Sequence, residues 1–343
     1  MRRLAFGVDP DPLFADLIEG VRAAAGELGI ETGDVDTSPD AASIDWLLLI
    51  GRPGRYRTLL EASAFPPRIV WAGEPLPGAS TQTGSSAGSP AMSRTSRSSI
   101  VRRLVRPMGA SLRRVPLPAP LDRRRVAIAT ERLVRANLEE LAMAAADGAR
   151  LVVTSRDRGA TLASYGLPAS VVPFGYHARH AGSLTPAGIG ARDVALLMLG
   201  SRGTHTRRAR EVGGLLGGGA GRAGRDLQIV EGVWGVEREA LLRRTRVLVD
   251  VHRVRGNFVG LRLLLALAAG VVVVTEPMTD PFPFVPGVHY IEASTPELLG
   301  VASDLAADAT RRAVIVEAGH DLLRGELAMR ESLRRVLDIG PAV

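Results

Sequence analysis

Polar side chains that could bind or activate a substrate follow two of the most apolar runs in this chain. His252 and Arg253 come directly after RVLVDV, Asn257 closes the same loop, and Glu276 comes directly after VVVVT. Because the carboxyl ends of neighbouring parallel strands meet at one edge of a sheet, we expect these four side chains to lie close together. The histidine and the carboxylate are candidates for acid–base catalysis, and the arginine and the amide are candidates for ligand binding.

A second group of candidates begins where another apolar run ends. The segment LMLGSRGTHTRRAR places Gly200 and Ser201 at the end of a strand and Arg207 and Arg208 in the first turn of the next helix. Two arginines at a helix N-terminus oppose the helix dipole, and a bound phosphate would relieve that conflict. The segment therefore predicts a diphosphate site, to which Arg253 would contribute. The alternative is that both arginines of the helix point into solvent.

Further candidates follow strands in both halves of the chain. Glu231 and Trp234 come after LQIV, where an indole could stack on a nucleotide base or only cover the edge of the domain. In the first half, Asp9 follows the first apolar run and Glu74 follows RIVWA, so both are candidates for a general base. The six histidines show no metal-ligand spacing, and we predict no metal site.

The composition excludes several kinds of chemistry. The chain of 343 residues has no cysteine and no lysine, so all 43 basic residues are arginines. Disulfides, thiolate catalysis, Schiff bases and a lysine-bearing phosphate loop are excluded, and any anion must be bound by arginine, backbone N–H groups or a helix N-terminus. The net charge of +7 is spread along the sequence, so nucleic-acid binding is not favoured. The longest apolar run, residues 263–274, is too short to span a bilayer, and we expect a cytoplasmic protein.

Apolar runs of strand length alternate with helical periodicity in both halves of the chain, which is typical of parallel sheets. We predict an α/β fold of two Rossmann-like, doubly wound parallel-sheet domains that face a cleft. Residues 1–175 would form the first domain, with a flexible loop at about 75–115, and residues 176–330 the second. Residues 331–343 would be a C-terminal tail.

An arginine-rich stretch lies within the loop predicted for the first domain. IVRRLVRPMGASLRRV has apolar residues at helical spacing among arginines, after a run rich in Gly, Ser and Pro. Residues 98–115 could therefore form a helix that packs on the domain with its arginines outside, or a peripheral contact with an anionic membrane. Pro107 and Gly109 would break such a helix early, which favours the first interpretation.

The order of motifs in the second half resembles the C-terminal domain of GT-B glycosyltransferases, and in particular the spore-maturation (CgeB-like) branch of the group 1 transferases. The resemblance runs from residue 173 to residue 292 and is carried by PFGYH, RDVALLMLGS with the following arginine pair, VEGVWG, REALLRRTRVLVDVH and GLRLLLALAAGVVVVTEPMTD with the following PGVHYIE. The first half matches only in its strand–helix rhythm and in the segments IVWAGE and LVVTSRDRGATLASYG.

This resemblance implies transfer of a sugar from a nucleoside-diphosphate donor, without a separate cofactor or metal, to an acceptor held over the first domain. The acceptor would be a glycan, a protein or a small molecule. The donor would be bound by residues of the second domain, namely Gly200, Ser201, Arg207, Arg208, Glu231, Trp234, Arg253 and Asn257. The catalytic candidates are Asp9, Glu74, His252 and Glu276.

Two positions depart from the pattern of the retaining members of this group. These transferases carry two glutamates eight positions apart, one touching the donor sugar and the other the ribose. The matching positions here are Asn257 and Leu265. An asparagine can still hydrogen-bond a sugar hydroxyl, but a leucine offers no acceptor to a ribose. The alternative function is therefore a GT-B-like binding or assembly module without catalysis.

Overall fold

Each half of the chain forms one sheet in which every strand pairs in parallel with its neighbours. The structure is a computed structural model, and it describes residues 2–8, 12–35, 44–51, 68–73, 119–187, 192–200, 207–217, 224 and 226–338. The predicted loop at 75–115 and the arginine-rich stretch at 98–115 lie outside these residues. Within the described residues, no helix has the length and apolar character needed to cross a membrane.

The first sheet has the strand order β2-β1-β3-β4-β5-β6. Its strands are β1 (Arg3–Val8), β2 (Glu31–Asp34), β3 (Trp46–Ile50), β4 (Arg68–Ala72), β5 (Arg150–Val153) and β6 (Ala169–Val171). The runs WLLLI and RIVWA become central strands because they are apolar on both faces and helices cover both sides of a parallel sheet. The polar sequence ETGD forms the exposed edge strand β2, which has no apolar pattern by which the sequence could predict it.

The second sheet has the strand order β11-β10-β9-β7-β8. Its strands are β7 (Val194–Leu199), β8 (Leu227–Val230), β9 (Thr245–Asp250), β10 (Val272–Thr275) and β11 (Ile291–Glu292). In each sheet the chain goes from its first strand to an edge strand, and the following strand then pairs with the other side of the first strand. This reversal lies between β1 and β3 and between β7 and β9, and it is the point at which doubly wound sheets bind ligands. The predicted fold class is confirmed.

Helices connect the strands and cover the sheets. They are α1 (Pro12–Glu27), α2 (Ala119–Ala146), α3 (Arg156–Ser164), α4 (Ala178–Ala181), α5 (Arg207–Gly217), α6 (Gly235–Arg243), α7 (Gly260–Ala268), α8 (Leu298–Ala307), α9 (Ala309–Arg324) and α10 (Met329–Leu337). Helix α7 is buried at seven of its nine residues, because its sequence LRLLLALA is apolar on nearly every side.

The last helix returns to the first domain. Met329, Leu333, Val336 and Leu337 of α10 are buried in the same core as the strands β1, β3 and β4 and the helix α1. The prediction treated residues 331–343 as a tail, whereas residues 331–337 form most of this packed helix. Sequence order alone could not assign α10 to a core that is built more than 150 residues earlier in the chain.

The two domains also meet along α1. Asp16 of α1 accepts a hydrogen bond from the backbone N–H of Gly235 (2.9 Å) at the start of α6 and pairs with Arg238 (3.2 Å). Beside this pair, the ring of His180 packs on α1 so closely that a Cβ at Gly20 would overlap it. Burial, and then the charge of Arg238, lower the pKa of His180 to about 3. The imidazole is therefore neutral in the folded protein at all ordinary pH values.

We predict that His180 makes the protein less stable in mild acid. An unfolded histidine has a pKa near 6.5 and binds a proton below it, whereas the folded ring does not, so stability falls as pH falls. His180 should remove about 1.4 kcal/mol of unfolding free energy between pH 7.5 and pH 5.5. Urea unfolding at both pH values would show this loss in the wild type and a loss smaller by that amount in His180→Asn. Equal losses in the two proteins would contradict the prediction.

We also predict that α10 is essential to the first domain. Leu333→Ala removes a fully buried side chain from its core and should lower the unfolding free energy by about 2–5 kcal/mol. Arg330→Ala, on the exposed side of the same helix, should change it by less than about 0.5 kcal/mol. Urea unfolding would measure both values, and a Leu333→Ala variant as stable as Arg330→Ala would show that the helix does not complete this core.

Candidate active site at the carboxyl edge of the second sheet

A guanidinium group packs closely against the residue that follows β7. Gly200 follows β7 with a φ of 111°, a conformation that residues with side chains rarely adopt. A Cβ on Gly200 would lie 2.8 Å from Nη1 of Arg208. Glycine is therefore required here both by the backbone turn and by the close approach of Arg208.

Arg208 is held by a carboxylate at the end of the neighbouring strand. Its Nη2 donates to Oδ1 of Asp250 (2.5 Å), the last residue of β9, and Arg262 of α7 donates to the same oxygen. Burial would raise the pKa of Asp250, but the charges of Arg262 and Arg208 hold it below its usual value. Burial and the like charge of Arg262 lower the pKa of Arg208 to about 10, so Arg208 and Asp250 are both ionised at neutral pH.

Arg207 is paired with the second buried carboxylate. Its guanidinium donates to both oxygens of Glu276, and Nη1 also donates to the carbonyl of His252 (2.8 Å). Glu276 further accepts hydrogen bonds from Thr295 and from the backbone N–H of His252 (2.8 Å). Burial alone would raise the pKa of Glu276, but these hydrogen bonds lower it to about 2. The carboxylate is therefore ionised, and its hydrogen bonds hold Arg207 in place.

His252 is buried beneath this network. Its side chain lies 2.8 Å from Oγ1 of Thr275 through Nε2, and burial lowers its pKa. Only 1% of the residue is exposed, and Nδ1 has no hydrogen-bond partner among the described residues. The geometry gives the neutral imidazole a position behind Arg207 and Glu276 rather than on the open edge of the sheet.

The buried carboxylates change the interpretation of the two arginines in α5. The sequence suggested that a phosphate neutralises Arg207 and Arg208, but Glu276 and Asp250 are their partners in the structure. Arg207 is balanced by Glu276, whereas Asp250 is shared between Arg208 and Arg262. Among the described residues of this network, three guanidiniums and two carboxylates leave one positive charge. An anion is still favoured there, although not for the reason that the helix dipole suggested.

Three further residues predicted to bind the donor lie on the protein surface. Arg253 and Glu231 are exposed, and Trp234 is 40% exposed at the residue before α6. Part of Trp234 is therefore exposed to solvent. Asp9, Glu74 and Ser201 lie outside the described residues, so their predicted roles stay predictions.

Asn257 accepts a hydrogen bond from a residue of the first domain. Arg158 of α3 donates to Oδ1 of Asn257 (3.0 Å) and to the carbonyl of Phe258 (3.2 Å). In the same region, Arg156 donates to Asp280 through its side chain (2.9 Å) and its backbone N–H (3.1 Å). The first turn of α3 is thus attached to two loops of the second domain, and any sugar at Asn257 would meet Arg158 as well.

Several of these residues were not identified from the sequence. Asp250 could have been found as an acid at the end of a buried strand, and Arg262 as the one charge in an apolar helix. Arg156, Arg158 and Asp280 carry no such signal, because their partners lie about 100 residues or more away in the chain. Among the described residues, no group of three or more His, Asp or Glu side chains could hold a metal ion.

The chain is similar to solved glycosyltransferases over nearly all of its length. HepE of Anabaena, crystallised with UDP-glucose, superposes with a TM-score of 0.59 at 9% identity over 98% of each chain. Sucrose-phosphate synthase of Thermosynechococcus elongatus has a TM-score of 0.56 at 11% identity, covering 98% of this chain and 97% of its own. A glycosyltransferase of Rickettsia africae ESF-5 has a TM-score of 0.54 at 10% identity, with the same coverage.

These similarities establish the architecture. The protein has the GT-B fold, as the order of motifs suggested, and at such low identities the likeness is one of fold. No protein-family model matches the sequence, and no curated protein is significantly similar to it.

We predict that the Arg207–Glu276 pair is a large contributor to stability. Glu276→Gln would leave a buried guanidinium without its counter-charge and should lower the unfolding free energy by about 3–5 kcal/mol. Asp193→Asn breaks an exposed pair with Arg244 and should cost less than about 1 kcal/mol. Denaturant unfolding at pH 7 would compare the two variants. Equal effects would mean that Glu276 is not the counter-charge of Arg207.

Proposed function

We propose that this protein is a glycosyltransferase that moves a sugar from a nucleoside-diphosphate donor to an acceptor. The observation that carries the proposal is the surplus positive charge beside Gly200, at the switch point of the second sheet of a GT-B fold. Transfer of the sugar builds negative charge on the leaving diphosphate, and fixed guanidinium groups stabilise that charge without a metal ion.

The remaining parts of the proposal follow the same geometry. Trp234 would stack on the base, the exposed residues Glu231 and Arg253 would contact the nucleotide, and Asn257 with Arg158 would contact the donor sugar. Buried His252 and Glu276 would act by positioning Arg207. Asp9 or Glu74 would serve as a general base if the reaction inverts the anomeric centre.

The finer assignments are also proposals. HepE binds UDP and glucose or UDP-glucose, so hexoses carried by UDP are the first donors to test. The assignment to the CgeB-like branch rests on the sequence motifs. The cytoplasmic location and a peripheral membrane contact through residues 98–115 also rest on the sequence alone. The acceptor would occupy the first domain opposite the donor.

A binding module without catalysis is the second candidate. Leu265 is buried in the core of the second domain, so that position offers no acceptor for a ribose. Asn257 already accepts a hydrogen bond from Arg158, which competes with a sugar hydroxyl. A protein of this kind would bind a nucleotide without releasing it from a nucleotide sugar.

We expect at least one of UDP, GDP, ADP and TDP to bind in calorimetric titrations. Trp234→Ala should weaken that binding roughly 5- to 100-fold through loss of stacking, whereas Tyr165→Ala, which removes another exposed aromatic side chain, should not. Free UDP should appear from UDP-glucose at a rate that EDTA does not change.

The outcomes separate the candidates. Binding without any release of nucleoside diphosphate from UDP-linked or other nucleotide sugars would favour the non-catalytic module. No binding across the whole panel would overturn both functions.

A further inference from the structure

Among the described residues, the chain crosses between the two domains at two places, and these crossings contact each other. Phe174 is buried in the core of the first domain, and Tyr176 packs against the core of the second. On the return, Leu327 belongs to the second core and Met329 to the first. The backbone N–H of Tyr176 donates to the carbonyl of Leu327 (2.6 Å), and the N–H of Met329 donates to the carbonyl of Tyr176 (2.8 Å). Two short crossings bonded to each other have the geometry of a hinge.

A carboxylate of the second domain is bound at the N-terminus of a helix of the first domain. Helix α3 begins at Arg156, shortly after β5. Asp280, in the loop after β10, accepts hydrogen bonds from the backbone N–H of Arg156 (3.1 Å) and from its side chain (2.9 Å). The guanidinium of Arg156 also lies 4.2 Å from the centroid of the Phe282 ring. The carboxylate is therefore stabilised by the positive end of the helix dipole as well as by the ion pair.

This ion pair joins the carboxyl edges of the two sheets. Helix α3 follows the carboxyl end of β5 in the first sheet, and the loop with Asp280 follows the carboxyl end of β10 in the second. A second contact of α3 is made by Arg158, which donates to Asn257 and to the carbonyl of Phe258 in the loop after β9. The two sheet edges therefore cannot separate at α3 without breaking both contacts.

The junction at α1 has the same kind of contact in the opposite direction, but it is more deeply buried. Asp16 of the first domain accepts from the backbone N–H of Gly235 at the start of α6 and pairs with Arg238, whose side chain is only 7% exposed. The side chain of Arg156 is 61% exposed, and that of Asp280 is 16% exposed. Water and dissolved ions reach the pair at α3 more easily, so we expect it to break first.

We propose that Arg156 and Asp280 form a latch that holds the two domains closed over their facing sheet edges, with the crossings at residues 174–176 and 327–329 as the hinge. Burial would raise the pKa of Asp280, but the hydrogen bond from Arg156 holds it below its usual value, so the carboxylate is charged at neutral pH. Salt screens a pair that is this exposed, and the closed arrangement should weaken as ionic strength rises. The latch controls access for any ligand that enters between the domains, so it does not depend on the proposed function.

Distances between spin labels on the two sides of the latch would measure its opening. Because the chain has no cysteine, Ala163→Cys on α3 and Val288→Cys in the exposed turn after Asp280 would carry the labels without competing thiols. Pulsed electron paramagnetic resonance should show mainly the short distance when the latch is intact. Asp280→Asn should lower the ratio of short to long distances roughly 3- to 30-fold, because it removes the charge from these hydrogen bonds.

Two further variants and a salt titration test whether the effect comes from this pair. Arg156→Gln should match Asp280→Asn, and the double variant should differ little from either, because both changes remove one interaction. Potassium chloride at about 1 M should shift the protein with an intact latch in the same direction and leave Asp280→Asn nearly unchanged. Asp193→Asn removes the same charge from an exposed pair with Arg244 within the second domain and should not alter the distances.

Urea unfolding would verify that each variant is folded. The latch would be overturned if folded Asp280→Asn and Arg156→Gln both keep the distances of the intact protein, or if the intact protein already shows mainly the long distance at low salt. An equal shift in Asp193→Asn would also overturn it, because the effect would then follow net charge rather than the contact with α3. None of these results bears on the proposed function, which nucleotide binding and release test separately.

Discussion

The whole site depends on the need to neutralise guanidinium groups inside the second domain. A chain without lysine places arginine wherever it needs a cation, and an arginine buried without a counter-charge is costly. Asp250 and Glu276 meet this need at the ends of two neighbouring strands. They fix three guanidinium groups before any ligand arrives, so the surplus charge is already oriented. Such preorganisation is what makes an electrostatic site effective, since little reorganisation remains for the ligand to induce.

The relation between the two sheets is set by contacts at both ends of their boundary. Asp16 ties α1 to the start of α6, and Arg156 and Arg158 tie α3 to the loops that follow β9 and β10. The second group joins the loops beside the arginine cluster to the first domain. The same hydrogen bonds that hold the domains together therefore also fix Asn257, which we propose as a ligand-binding residue.

The sequence predicted the features that depend on local pattern. Apolar runs of strand length predicted most strands, and their alternation with helices predicted two parallel sheets. Both patterns depend only on residues that are close together in the sequence. The polar strand β2 carries no such signal. The sequence predicted the candidate site as a set of polar groups at strand ends, but it did not predict which of these groups pair. Arg207 and Glu276 are 69 residues apart, and hydrogen-bond partners at that separation leave no periodic pattern in the sequence. The sheet edge that we propose to bind an anion was thus predicted from local pattern, while Arg262, Asp250 and the contacts from α3 required coordinates.

The return of α10 to the first domain affects the order in which the two domains can fold during synthesis. During synthesis the first sheet emerges long before Met329, Leu333, Val336 and Leu337, which fill part of its core. Until they arrive, the nascent first domain presents an uncovered apolar groove beside α1, a surface of the kind that molecular chaperones bind. The order of emergence therefore favours completion of the second domain's sheet before the first domain closes, the reverse of the usual amino-to-carboxyl progression.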